Sequence, residues 1–341
     1  MLLILLLEVS WPLLLSFAPT SDRSVHDIYP ITYALVRKRF TFVSSCLNNL
    51  HANMDPNTLS IGPDRGFLEE LWDGEPTFQF MKAPDLERTV QAFKLALARD
   101  PNHGQYLVFK GVPYATIERL VDNRDCTLYD CRILYAHTSK TLRIKMPSRA
   151  HDVLAVSFGQ RLAFKLEPTG AYSMLTPSGP VTMHMGNVTK MPDAGWGPAG
   201  KDYLTGVLEV GYSESSPLLA LDARLWLEKP ESHVQHVVTA KISPTRPEIV
   251  FRKWEAERHT LTKTRSKPEW QAKVTQEARA ALANETVTVS GQIDLSFIQI
   301  FERPADQAAG QGDIILTQDD LATLSRAIWV IQKFIPPLHL S

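Results

Sequence analysis

The sequence predicts an α/β protein, a mixed sheet flanked by helices, on three observations. Residues 150–242 read in the order helix, strand, strand, strand, helix, strand. Inside that run, Val207-Leu208-Glu209-Val210-Gly211 and residues 234–242 are strand-like and flank an apolar helix. Such a strand–helix–strand step makes a right-handed parallel crossover. The first of these strands carries one carboxylate, Glu209, among apolar neighbours. A carboxylate withdrawn from water there costs several kcal/mol unless a cation or donor offsets it.

The bulk composition is that of a globular chain. Its 341 residues, 44% hydrophobic and 21% charged, suffice for one large domain or two modest ones. A formal net charge of −1 gives no global attraction to nucleic acid, so any such contact needs a local basic patch. Three cysteines, Cys46, Cys126 and Cys131, are too few and too irregular for a disulfide framework or a zinc site. Residues 1–19 are apolar but broken by Glu8 and Pro12, with no Lys or Arg ahead of them. That is too short and interrupted for a stable membrane span. An intracellular location, nuclear or cytoplasmic, is expected, with a signal or anchor as the open alternative.

Taken in order, residues 86–97 form a helix with Leu86, Val90, Phe93 and Leu97 on one face, ended by Pro101-Asn102-His103-Gly104. Residues 106–109 make a short strand, and 113–121 a helical turn. Residues 133–137 and 142–146 are strands joined through Thr138-Ser139-Lys140 as a hairpin. Residues 150–166 are a helix with Leu154, Phe158 and Leu162 at intervals of four. Strands at 172–175 and 181–185 follow, joined by Pro177-Ser178-Gly179-Pro180, then a Gly-rich loop from Asp193 to Gly200. Ser216 and Pro217 start the next helix, Ser as N-cap and Pro at the first helical position. Leu218, Leu221 and Leu225 give it an apolar face, and Pro230 stops it. Strands follow at 234–242 and 249–254. Residues 268–284 read as a helix, 286–301 as extended chain and 303–313 as a loop. Thr317 caps a last amphipathic helix with Asp320 in the capping-box position.

The chemistry centres on two acids. Asp193 follows Pro192 at a turn, and Glu209 sits in the apolar strand. Carboxylates brought together by neighbouring strands are hard oxygen ligands suited to Mg²⁺. The plainer readings are a turn residue for Asp193, and for Glu209 an edge residue facing solvent or a partner of Arg224. His151, near a helix start, reads as a surface histidine or a supporting group. Asp222 and Arg224 read as a helix-surface pair.

Met191-Pro192-Asp193, Glu209-Val210-Gly211-Tyr212-Ser213-Glu214-Ser215 and Leu221-Asp222-Ala223-Arg224-Leu225-Trp226-Leu227, in that order, resemble the PD-(D/E)XK nuclease superfamily. The resemblance is to its restriction endonuclease-like branch and to a group of fungal proteins, which also share Ile300-Phe301-Glu302-Arg303-Pro304 and the closing helix. It is specific over roughly residues 145–255. It implies a restriction endonuclease-like α-β-β-β-α-β core at 141–255. An uncertain apolar segment at 1–25 and an addition at 26–140 precede that core, and a C-terminal addition at 256–341 follows it. It implies hydrolysis of phosphodiester bonds in DNA or RNA, Asp193 and Glu209 as ligands of Mg²⁺ or Mn²⁺, and a homodimer as a compatible assembly. The lysine that follows the Glu by two residues in that superfamily is Gly211 here. Lys241, in the neighbouring strand, is the candidate replacement: Gly211 leaves a face open, and strands lie about 4.8 Å apart. The plainer reading has Lys241 extending to water.

Two other readings stand beside it. Gly211-Tyr212-Ser213-Glu214-Ser215 approaches the G-x-S-x-G nucleophile elbow of serine hydrolases, but Ser215 replaces the last glycine and no histidine spacing completes a triad. The missing lysine also allows a catalytically inactive scaffold that binds nucleic acid or protein. The stretch with Arg258, Lys263, Arg265, Lys267 and Lys273 offers phosphate contacts to either nucleic-acid reading.

Overall fold

A computed structural model describes residues 75–100, 104–122, 128–212, 216–258 and 270–336. The apolar N-terminal segment, Cys46, Cys126, Ser213–Ser215 of the elbow and residues 259–269 of the basic stretch lie outside the described residues.

A mixed α/β architecture forms, with two large sheets and six helices among the described residues. The first sheet has the order β1-β2-β4-β3-β7-β6. Its strands are β1 (Thr77–Gln79), β2 (Tyr106–Lys110), β3 (Arg132–Ala136), β4 (Thr141–Lys145), β6 (Met183–Met185) and β7 (Val188–Lys190). Strand alternation gives it two unlike faces. Leu107, Phe109, Ile133, Tyr135, Leu142 and Ile144 point one way, into a core shared with Leu86 and Val90 of α1 (Ala83–Arg99) and Ile117 and Leu120 of α2 (Tyr114–Asp122). The other face carries Arg132, Arg143, Lys145 and Lys190, all buried.

The second sheet has the order β13-β12-β11-β10-β9-β8-β5. Its strands are β5 (Leu175–Ser178), β8 (Ala194–Pro198), β9 (Gly206–Tyr212), β10 (His236–Ile242), β11 (Glu248–Arg258), β12 (Trp270–Ala283) and β13 (Thr286–Ser290). The expected crossover is present: β9 and β10 pair in parallel and α4 (Ser216–Leu227) joins them. Leu208, Val210 and Tyr212 face a core with α3 (Arg149–Leu166) and α6 (Gln318–Ile331), whereas Val207 faces Ala223, Trp226 and Leu227 of α4. Each large apolar side chain fully buried in this way contributes about 1.5–3 kcal/mol. Ser148 caps α3, its Oγ accepting from His151 N at 3.3 Å. Thr317 and Asp320 form the expected capping box of α6.

Several local expectations are corrected. The helix expected at 268–284 is corrected over its described residues. Trp270–Ala283 is strand β12, paired with β11 along the whole length of that partner. Its alanines favour a helix in isolation, but Ala278 and Ala280 fill the tight core face of the ladder. Residues 171–174 are a 3₁₀ turn leading into β5 rather than a strand. The strand expected at 181–185 is β6, which pairs with β7 in the other sheet, and part of the Gly-rich loop is β8. Five strands therefore lie between α3 and α4, not three. Residues 286–301 form β13, then β14 (Ile293–Leu295), then the short helix α5 (Phe297–Phe301). β14 pairs with β15 (Ile314–Leu316). Among the described residues no helix is long and apolar enough to cross a membrane.

Candidate functional site

Asp193 stands immediately before β8, where the antiparallel ladder to β9 stops at Ala194 opposite Leu208. Its side chain continues the pairing that the backbone no longer makes. Oδ2 accepts from Val210 N at 2.7 Å, while Lys145 Nζ donates to Val210 O at 2.7 Å and to Asp193 Oδ2 at 2.9 Å. His151 Nε2, from the first turn of α3, lies 2.8 Å from the same oxygen, and Arg132 Nε lies 3.5 Å from Oδ1. Asp193 thus holds together the end of β8, the middle of β9, the start of α3 and two strands of the first sheet. His151 is not a surface residue, being fully buried.

Glu209, on the α4 face of β9, is 1% exposed. Its Oε1 accepts from Trp226 Nε1 at 2.6 Å and lies 2.9 Å from Lys190 Nζ. Lys190 also donates to Asp222 Oδ1 at 2.7 Å. Asp222 is therefore not a surface partner of Arg224. It is 2% exposed and lies between Lys190 and Arg143, the latter at 3.9 Å. Arg224 binds Glu228 one turn along α4, at 3.0 Å, and not Glu209.

Lys241 pairs with Gly211 in the β9–β10 ladder and is half-buried. Register partners in a parallel ladder share a face, so Lys241 lies on the sheet face that carries Glu209. The ammonium beside Glu209 is nevertheless that of Lys190.

Carboxylates and cations nearly balance. Asp193, Glu209 and Asp222 meet Arg132, Arg143, Lys145 and Lys190. At the rim Asp152 pairs with Arg132 at 3.1 Å, and Glu75 with Arg143 at 3.7 Å. Five carboxylates face four cationic side chains and His151. The three inner acids differ in how far their neighbours offset burial. Burial is the largest influence on each of the three inner acids and favours the neutral form. At Asp193 the neighbouring His151, Lys145 and Arg132 outweigh burial and hold the carboxyl well below the usual range. At Asp222, Lys190 and Arg143 also keep it low. At Glu209 burial wins over Lys190, helped by the charges of Asp193 and Asp222, and the carboxyl is pushed up to about 7. Lys190 itself is raised above the ordinary lysine value, because Asp222 and Glu209 outweigh its own burial. One ammonium shared by two carboxylates leaves Asp222 ionised and Glu209 holding the proton.

This has a consequence for stability. Between the ordinary carboxylate value of 4.5 and about 7, the folded chain keeps a proton on Glu209 that the unfolded chain has lost. The folded state then binds more protons, so stability falls as pH rises through that window. Urea unfolding of Glu209→Gln should show a flatter pH dependence from 5 to 7 than the parent chain, and an unchanged slope would count against this assignment.

A cavity of about 20 Å³ lies at the centre, lined by Arg132, Arg143, Lys145 and Lys190 together with Glu209 and Asp222. It has room for about one water. Mg²⁺ retains several waters and an octahedral shell at about 2.1 Å. The residues present do not fit that ion as they are arranged. Asp193 Oδ2 and Glu209 Oε1 are each engaged by a lysine, and the cavity cannot take a hydrated cation. Among the described residues, no three or more His, Cys, Asp or Glu side chains gather as a metal-ligand group.

Sequence reasoning missed the cationic half of this cluster. Thr141-Leu142-Arg143-Ile144-Lys145 alternates apolar and polar residues, the pattern of a half-exposed strand. Its polar face is buried here, with Arg143 meeting Asp222 of α4 and Lys145 meeting Val210 of β9. The available signal was a surplus of acids on an apolar strand and an apolar helix, which demands cations from elsewhere.

No family model and no curated protein matches the chain. Among solved structures it is similar to a "putative nuclease belonging to DUF820" from Anabaena variabilis. The two are 12% identical, with a TM-score of 0.31, and the likeness covers 57% of this chain and 90% of that one.

Proposed function

We propose that this chain is a non-hydrolytic binding scaffold on a nuclease-like plan, in which Asp193 and Glu209 bind internal lysines as a clamp. A single observation carries this reading: Asp193 Oδ2 and Glu209 Oε1, oxygens of two buried acids, are held by Lys145 and Lys190, each at 2.9 Å. A polynucleotide needs an open groove lined by cations and reachable phosphate contacts. Here the cations beside the acids, Arg132, Arg143, Lys145 and Lys190, face inward and meet carboxylates. The clamp joins the two sheets, so removing the acids affects stability before it affects any ligand. A nucleic acid or a protein is the class of partner proposed, bound at the outer surface.

The nuclease reading, with Asp193 and Glu209 on Mg²⁺ or Mn²⁺ and Lys241 as the relocated lysine, keeps one observation in its favour. Asp193 Oδ1 is buried and accepts no hydrogen bond. Incubation of the purified chain with plasmid and single-stranded DNA and with RNA, in Mg²⁺ or Mn²⁺ and in EDTA, separates the two. No cleavage above the EDTA control is expected. Metal-dependent cleavage that disappears in Glu209→Gln, with the circular dichroism spectrum unchanged, would establish the nuclease instead.

A further inference from the structure

The clamp reading leads to a more specific claim about Lys190, which rests on it. We infer that Lys190 is a resident cation: its ammonium occupies the point between Glu209 and Asp222 where a divalent ion would otherwise bind. Two carboxylate oxygens from different elements, one on β9 and one on α4, lie 2.9 Å and 2.7 Å from this one nitrogen. Oxygens of separate acids converging on one point are the donor pattern of a hard cation. The position is closed to solvent, with the lysine side chain 6% exposed and its nitrogen 5.5 Å from the centroid of the Trp226 ring. An indole face at that distance suits a cation without a hydration shell, as an ammonium is here and Mg²⁺ is not.

The chain therefore contains its own counter-ion, fixed by β7 and needing no supply from solution. A covalent ammonium carries one charge where a divalent ion carries two.

Shortening Lys190 should open a site for a real divalent ion. Glu209 and Asp222 would both ionise toward it, and the space left by the side chain would admit the waters that such an ion retains. Mn²⁺ is a suitable probe, because protein binding broadens the electron paramagnetic resonance signal of the aqueous ion. The intact chain and Lys190→Arg are expected to take up no Mn²⁺. Lys190→Ala is expected to take up one equivalent, and its Tm should rise by roughly 5 °C or more at saturating Mn²⁺. Uptake should vanish in the double variant Lys190→Ala, Asp222→Asn. If Lys190→Ala is unfolded alone, Mn²⁺ is expected to restore its near-ultraviolet circular dichroism.

Two results would overturn the inference. One is Mn²⁺ uptake by the intact chain that depends on Asp222. The other is a Lys190→Ala chain that neither binds Mn²⁺ when folded nor folds when Mn²⁺ is added. Neither depends on the cleavage assay. An inert intact chain whose Lys190→Ala variant ignores Mn²⁺ removes the resident-cation claim and leaves the scaffold reading intact. Metal-dependent cleavage by the intact chain removes the scaffold reading itself.

Discussion

Asp193→Asn should lower the free energy of unfolding by about 3–5 kcal/mol, the scale for removing one partner of a buried ion pair. The change preserves shape and removes charge, so Lys145 and Arg132 lose the carboxylate that faces them. Lys145 is also the donor to Val210 O, so the loss extends to the β9 backbone at the point where β8 ends. Urea unfolding at pH 6 measures it. Glu209→Gln under the same conditions should cost about 1 kcal/mol or less, on the scale of one neutral hydrogen bond. Glu209 already holds a proton at that pH, and its glutamine can still accept from Trp226. Two acids of similar burial are therefore expected to behave differently. Equal losses in the two variants would mean that both carboxylates are ionised and that the charge balance described for the cluster is wrong.

Lys190→Met is the second large effect, again about 3–5 kcal/mol at pH 7. The methionine fills comparable volume but leaves Asp222 without its nearest ammonium, while Arg143 remains at 3.9 Å. Asp222→Asn in the Lys190→Met background should recover part of the loss, since no unpaired inner carboxylate then remains on α4. A double-mutant cycle reads that coupling directly, and residues in contact commonly show 0.5–3 kcal/mol, taken as an order of magnitude. Additive losses would show that Lys190 contributes packing alone.

How much of this was legible beforehand differs from one residue to the next. The strand bearing Glu209, the parallel crossover to β10, the long helix α3 and the cap at Thr317 were readable, because each depends on a local pattern or on neighbours close in sequence. The placement of Lys241 in the strand beside Gly211 was readable too, but their register in the ladder was not. Lys145 was not readable: it reaches Asp193 across 48 residues and Val210 across 65. Nothing local distinguishes a lysine on a covered sheet face from one on an open face. Asp222 and His151 were misplaced for the same reason, since a charged residue on a helix is usually solvated. The strand β12 was misread because alanine-rich sequence favours helix until a long neighbouring strand supplies the ladder.

The most direct measurement is a crystal grown with Mn²⁺ and examined for anomalous scattering. The account predicts no anomalous peak within bonding distance of Asp193 or Glu209, with Lys190 Nζ remaining between Glu209 and Asp222. A peak about 2.1–2.2 Å from Asp193 Oδ1 and a Glu209 oxygen, with Lys190 displaced, would contradict it and make the acid pair a metal site.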